Sequence, residues 1–256
     1  MSLVEMGRDA SVLGTFVFEF ATPGIGAIAA VAGARFVVFD EEHSGIGRDT
    51  LRASIAGMRG GPAVPVLRVA QATRHAVSGA LDLGASAVIV PMVESTQTAR
   101  ELASYAYYPP IGTRGAAFGV AHDGYGTDEP AVVMARANDT VCLLPQIETA
   151  AGVEAAASIA QVPGISGLWL GQYDLSISLG VPGQFQHPVF LGAVEQVVDA
   201  ARSAGIALGM MVTSTSQASE YIERGFSILA YGTDIALYQG ALSAGLTAIR
   251  TPESRS

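Results

Sequence analysis

An eight-stranded parallel (β/α)8 barrel, a TIM barrel of the α/β class, is the fold that the sequence predicts, and three observations predict it. Short β-rich runs recur eight times, Ala-rich stretches with helical spacing separate most of them, and a length of 256 residues suits one such barrel. The strands are expected at Leu13–Phe18, Phe36–Phe39, Val64–Val69, Ala87–Val90, Val141–Gln146, Gly167–Leu170, Ala207–Val212 and Ser227–Tyr231. Helical spacing is clearest over Arg74–Leu83, Thr96–Tyr107 and Pro188–Ala204. Thr73, Ser95 and Thr149, the last with Glu154 beyond it, stand where helices should start, and Gly84, Gly164, Gly205 and Gly225 where they should stop. Half of the residues are hydrophobic but only 7% are aromatic, so the core is built from Ala, Val, Leu and Ile, as helices packed on parallel strands require. The alternative is an open doubly wound sheet, against which no Gly-x-Gly-x-x-Gly follows the first strand.

The chain reads as a single domain over residues 1–256, with ends frayed at about 1–8 and 251–256. Its longest irregular stretch, Tyr108–Thr127, holds Pro-Pro and several glycines and is expected as a mobile loop on the active-site face. No apolar run approaches the roughly 20 residues of a membrane span, since Arg35 interrupts the best candidate. With no basic leader and one cysteine, Cys142, a cytoplasmic location is expected. A net charge of −9 without a basic run disfavours nucleic acid and anionic membranes as partners. All 14 basic residues are arginine. The absence of lysine excludes Schiff-base chemistry, pyridoxal phosphate attachment and a P-loop. Any carbon–carbon chemistry therefore needs another electron sink, and a metal is the obvious one.

The polar residues that close the strands fall on one rim of a barrel, the rim that carries catalysis. Glu148 follows the fifth apolar run and Asp174 the sixth, and their separation suits a strand, a helix and the next parallel strand. Two carboxylates there make a hard oxygen site for a divalent ion, while each alone could equally be a helix cap. Oxygen-only ligation points to Mg2+ or Mn2+, and no histidines are spaced for zinc. His43, following Asp40, Glu41 and Glu42, could be oriented by Asp40 or Glu42 as a general base, or could be a loop histidine held by acids. Arg68 lies in an otherwise apolar strand and needs an anionic partner, either a protein carboxylate or, as its place on the rim favours, one on a ligand. Gln146 lies nearby. Trp169 and the Tyr105, Tyr107 and Tyr108 cluster read as packing residues.

Four segments then resemble the HpcH/HpaI family of metal-dependent pyruvate aldolases, in order, over roughly Leu13 to Ala248. They are Phe36-Val-Val-Phe-Asp-Glu-Glu-His43, Ala80-Leu-Asp-Leu-Gly-Ala85 through Val90-Pro-Met-Val-Glu94, Tyr108-Pro-Pro-Ile-Gly-Thr-Arg-Gly115, and Gln146-Ile-Glu-Thr149 with Asp174-Leu-Ser176. The resemblance implies that Glu148 and Asp174 hold a divalent cation (Mg2+, Mn2+ or Co2+) that chelates pyruvate and stabilises its enolate. It implies that Arg68 stabilises the developing charge. His43, oriented by Asp40, would take the hydroxyl proton, and Gln146 would position pyruvate. Asp82 would act across a subunit interface. The assembly would be a hexamer, a trimer of dimers, in which the helix from Asp234 onward is exchanged. The implied substrates are a small 2-oxo acid and an aldehyde, as partners in cleaving or forming a 4-hydroxy-2-oxo acid. Oxaloacetate decarboxylation, a biosynthetic condensation, an acyl-CoA lyase and a non-catalytic 2-oxo acid barrel are the alternatives. Three departures bear on specificity. Gln172-Tyr173 replaces a small pair before Asp174 and would border the pyruvate pocket, Phe16 stands where tryptophan is frequent, and residues 115–125 lack the arginine of dicarboxylate-cleaving relatives.

Overall fold

The computed structural model describes residues 2–7 and 10–250. The stretch 251–256, expected to fray, lies outside the described residues, as do Met1, Arg8 and Asp9. Eight parallel strands close into a barrel in sequential order, β1 to β8 and back to β1. They are β1 (Val12–Val17), β2 (Phe36–Asp40), β3 (Val64–Arg68), β4 (Ala87–Val90), β5 (Cys142–Ile147), β6 (Gly167–Leu170), β7 (Ala207–Val212) and β8 (Ile228–Thr233). This is the predicted barrel; the open sheet is excluded by the pairing of β1 with β8. Strand limits shift by one or two residues from expectation, as end assignments commonly do.

Helix α1 (Leu3–Met6) precedes β1, and the other helices follow strands: α2 (Ile25–Val31), α3 (Arg48–Gly57), α4 (Arg74–Asp82), α5 (Thr96–Ala106), α6 (Pro130–Thr140), α7 (Ala150–Ala160), α8 (Gln172–Ser178), α9 (Pro188–Ala204), α10 (Thr215–Glu223) and α11 (Asp234–Arg250). Thr73, Ser95 and Thr149 cap α4, α5 and α7 by accepting hydrogen bonds from the backbone of Ala76, Thr98 and Gly152. Gly205, at φ 66°, ends α9 in the left-handed conformation that glycine adopts without cost.

Two apolar layers hold the barrel. The outer one lies between strands and helices and gathers residues such as Leu51, Leu67, Leu102 and Phe190. The inner one fills the barrel with Phe16, Phe36, Val38, Ile89, Leu144 and Trp169. Leu3 joins this inner layer and is fully buried, so residues 3–6 form a capped helix where the sequence suggests a frayed end. A single buried leucine anchors it, a signal too short for periodicity to reveal.

The loop over residues 108–127 is also placed differently from expectation. It follows α5, not β4, so it returns to the N-terminal rim, opposite the catalytic end. There Ala121 packs near Gly84, and Arg114 and His122 line a small cavity with Val64 and Ser86, at the beginnings of β3 and β4. Asp82, at the end of α4, accepts a hydrogen bond from Arg114 Nη2 at 2.8 Å. Helix α11 leans outward, with every residue from Ile235 to Arg250 exposed.

Candidate active site

The C-terminal rim brings together the residues expected there. Asp40 and Arg68 are the last residues of neighbouring strands and face each other in register. Asp40 is fully buried, and its Oδ1 accepts a hydrogen bond from Arg68 Nε at 2.5 Å. Arg68 Nη1 lies 3.1 Å from Glu42 Oε2. The guanidinium thus has two protein carboxylates as partners, which corrects the expectation of a ligand carboxylate. Its guanidinium carbon also lies over the rings of Phe16 and Phe18, 5.4 and 5.7 Å from their centroids.

Asp40 serves His43 in another way than through its ring. Asp40 Oδ2 accepts a hydrogen bond from the His43 backbone N–H at 2.8 Å, and Oδ1 accepts one from Glu42 N at 3.3 Å. Ser44 Oγ donates to the Asp40 carbonyl. The carboxylate therefore fixes the loop 41–44, while the imidazole Nε2 stands 3.7 Å from Glu42 Oε2. The His43 side chain is 56% exposed at the rim, within reach of a bound molecule.

Glu148 lies one residue beyond β5 and is 2% exposed. Its Oε1 accepts from the Met92 backbone N–H at 2.6 Å, and its Oε2 accepts from Gln146 Nε2 at 2.5 Å. Burial, opposed by the two hydrogen bonds and aided by the charges of Glu42 and Asp174, pushes its carboxyl up to about 7. Asp174 is not at a strand end; it lies in the first turn of α8 and is exposed. Burial also pushes the Glu42 carboxyl up, with Asp40 and Asp174 adding to the rise and Arg68 opposing it. Four acids thus share one rim with one arginine, an excess of negative charge that a divalent cation would neutralise. Among the described residues no group of three His, Cys, Asp or Glu side chains can hold a metal. The available donor set is the Glu148 and Asp174 carboxylates, which fits Mg2+ or Mn2+, ions that keep water or substrate oxygens as their remaining ligands.

Next to these groups is a cavity of about 230 Å3 lined by Phe16, Phe18, His43, Arg68, Gln146 and Trp169, together with residues 170–174 and Met211. Trp169 meets Phe16 edge to face at 5.9 Å, so it both fills the barrel and floors the site. Tyr173 stands half exposed at the mouth, its ring held edge-on by Phe185 at 5.1 Å.

Several contributors carry no sequence signal of their own. Met92, at φ 56°, supplies a backbone N–H rather than a side chain, while Glu94, grouped with the rim in the sequence, is exposed. Asp234 begins α11 and also accepts backbone N–H bonds from Phe18, Glu19 and Phe20, at 3.0, 3.0 and 2.6 Å, which ties the loop after β1 to β8. Gly171 sits against Glu148: a Cβ there would lie 2.5 Å from Glu148 Oε2 and 2.6 Å from its Cβ. Gly171→Ala is therefore expected to displace the carboxylate. It should weaken Mg2+ binding at least tenfold and cost about 1–3 kcal/mol in urea unfolding. Unaltered Mg2+ affinity in calorimetry would show that the close approach is unnecessary.

Fold and site define the class: a (β/α)8-barrel enzyme with a carboxylate-rich rim facing a small cavity. The sequence model of the HpcH/HpaI aldolase/citrate lyase family matches residues 14–241, and the chain belongs to that family. It is similar to the 2-keto-3-deoxy-L-rhamnonate aldolase of Klebsiella pneumoniae, 34% identical with 89% of this chain and 85% of the relative covered. It is also similar to the hydroxypyruvate/pyruvate aldolase of Roseovarius nubinhibens, 32% identical with 91% of each chain covered. Among solved structures, the HpcH/HpaI aldolase of Desulfitobacterium hafniense superposes with a TM-score of 0.91 and 29% identity, over 98% of this chain and 96% of the other. The chain is accordingly a carbon–carbon lyase. No helix among the described residues is long and apolar enough to cross a membrane.

Proposed function

We propose that this enzyme is a divalent-metal-dependent aldolase that cleaves or forms a 4-hydroxy-2-oxo acid, with pyruvate as one partner. One observation carries the reading: a buried Glu148, poised at about 7, sits at the barrel rim among other acids and beside a cavity that also receives Arg68 and His43. Glu148 and Asp174 would hold the cation, which when bound supplies Lewis-acid stabilisation of negative charge on a substrate oxygen. In the cleavage direction His43 takes the proton of the C4 hydroxyl, and the C3–C4 bond breaks. The electron pair moves to C3, the aldehyde leaves, and C3 is reprotonated to give pyruvate. Arg68, held by Asp40 and Glu42, turns its remaining edge toward the developing negative charge. Gln146, Gln172 and Tyr173 are the groups that contact the substrate.

Chelation is the direct test. Pyruvate release from 4-hydroxy-2-oxo acids should vanish with EDTA and return with Mg2+, Mn2+ or Co2+. Full activity in the chelator would refute the metal assignment.

The assembly belongs to the same proposal: a hexamer in which α11 packs on a neighbouring copy and Asp82 acts at a subunit interface. Support comes from α11, whose Tyr238, Leu242, Leu246 and Ile249 form an exposed apolar stripe, and from an apolar groove of about 680 Å3 flanked by α2 and α10. Ile28, 65% exposed, lines that groove. Ile28→Glu should reduce the mass seen in sedimentation velocity. A monomer in the unaltered protein would exclude the exchange.

A further inference from the structure

Residues 18–20 lie beyond Val17, the last residue of β1 paired with β2, and so outside the β ladder. Their three successive backbone N–H groups donate instead to one carboxylate. Phe18 donates to Asp234 Oδ1 at 3.0 Å, and Glu19 and Phe20 donate to Oδ2 at 3.0 and 2.6 Å. The Ile235 N–H also donates to Oδ1, at 2.9 Å, so the same group starts α11. Asp234 is 8% exposed, and both of its oxygens are taken up by backbone donors. Phe20 adds a ring contact to the helix, edge to face with Tyr238 at 5.7 Å.

What this clamp holds in place is the ring of Phe18. Its centroid lies 5.6 Å from that of Phe16 and 5.7 Å from the Arg68 guanidinium carbon. Phe18 lines the active-site cavity and also a second cavity of about 220 Å3, bounded by Glu19, Ala21 and residues 45–47. Among the described residues no other lines both. The ring is thus a partition with open space on either side, and its place is set by the backbone that carries it. We infer that Asp234 is a positioning residue of the lyase, which holds Phe18 against Arg68 and keeps water off the guanidinium face where negative charge develops. This rests on the aldol reading above. Without the clamp, residues 18–20 have room to swing into the second cavity, and water that reaches Arg68 weakens its hold on that charge.

The test combines Asp234→Asn, Phe18→Ala and the double variant. An asparagine keeps one acceptor, and its NH2 meets N–H groups that cannot accept. In pyruvate release with Mg2+ present, kcat should fall about tenfold in each single variant. The double variant should fall no further than Phe18→Ala, since the carboxylate acts through that ring. Additive losses, or full activity in Asp234→Asn, would overturn the inference. Trp169, the one tryptophan of the chain, gives a readout that needs no turnover. It is 2% exposed and meets Phe16, which in turn meets Phe18. Acrylamide quenching of its fluorescence should rise at least about twofold in Asp234→Asn and in Phe18→Ala, with no further rise in the double variant. Unchanged quenching in a folded Asp234→Asn would overturn the inference. So would failure of that variant to fold, which would make the carboxylate a support of the whole barrel. If no 4-hydroxy-2-oxo acid is cleaved, the aldol reading itself fails, and the quenching series alone decides whether Asp234 places Phe18.

Discussion

Glu148→Gln is expected to abolish lyase activity while making the metal-free protein more stable at pH 8. The two effects share one cause. The glutamate is buried among other acids, so its ionised form is costly in the folded chain and its carboxyl sits at about 7. A group raised on folding favours the folded state while it is neutral. That contribution is complete below about pH 4.5, the ordinary value, and is lost as pH rises through about 7. The loss is of the order of 3 kcal/mol across that window. Unfolding of the metal-free enzyme between pH 4.5 and 8 should show this decline, and Glu148→Gln should flatten it. Mg2+ should raise the melting temperature more at pH 8 than at pH 6, because the carboxyl must lose its proton to bind a cation. The rate should fall by about a thousandfold in the variant, the several kcal/mol that a Lewis acid supplies. Wild-type turnover in Glu148→Gln, or a pH-independent stability in the parent, would remove Glu148 from the site.

Asp40→Ala should produce the largest loss of stability, about 3–5 kcal/mol by urea denaturation. Arg68 is 8% exposed, and without Asp40 its guanidinium keeps only Glu42, at 3.1 Å. The loop carrying His43 loses its anchor at the same time, since the backbone N–H groups of Glu42 and His43 both donate to Asp40. Activity should therefore fall further than in His43→Ala, which leaves the loop intact. An unfolding midpoint unchanged in Asp40→Ala would mean that Arg68 finds solvent or another partner. Asp40→Asn separates the two roles, because an amide oxygen can still accept from the loop but carries no charge for Arg68.

Much of this organisation was legible in the sequence. The strands alternate with helices at regular intervals, and each strand of a parallel barrel is buried on both faces, so it appears as a short apolar run. A polar residue closing such a run is then conspicuous, which is why Asp40, Arg68 and Gln146 could be picked out beforehand. Asp174 was visible only by its spacing from Glu148, and its place in the first turn of α8 was not, because four residues of Gly-Gln-Tyr-Asp carry no period.

Residue order by itself determined the eight-strand barrel, the rim on which polar groups collect, and the exclusion of lysine chemistry, for these depend on periodicity and composition. Tertiary structure alone decided the pairings. Arg68 was left open between a ligand and a protein acid until the register of β2 and β3 set it beside Asp40. Met92, Asp234 and Gly171 reach the site through a backbone N–H, a loop clamp and an absent side chain. None of these leaves a local pattern, because each acts on a partner far away in the chain. The loop 108–127 differs: the helical spacing over Thr96–Tyr107 already sets a helix before it, which puts it on the N-terminal rim, and only its packing near Gly84 needed the tertiary structure.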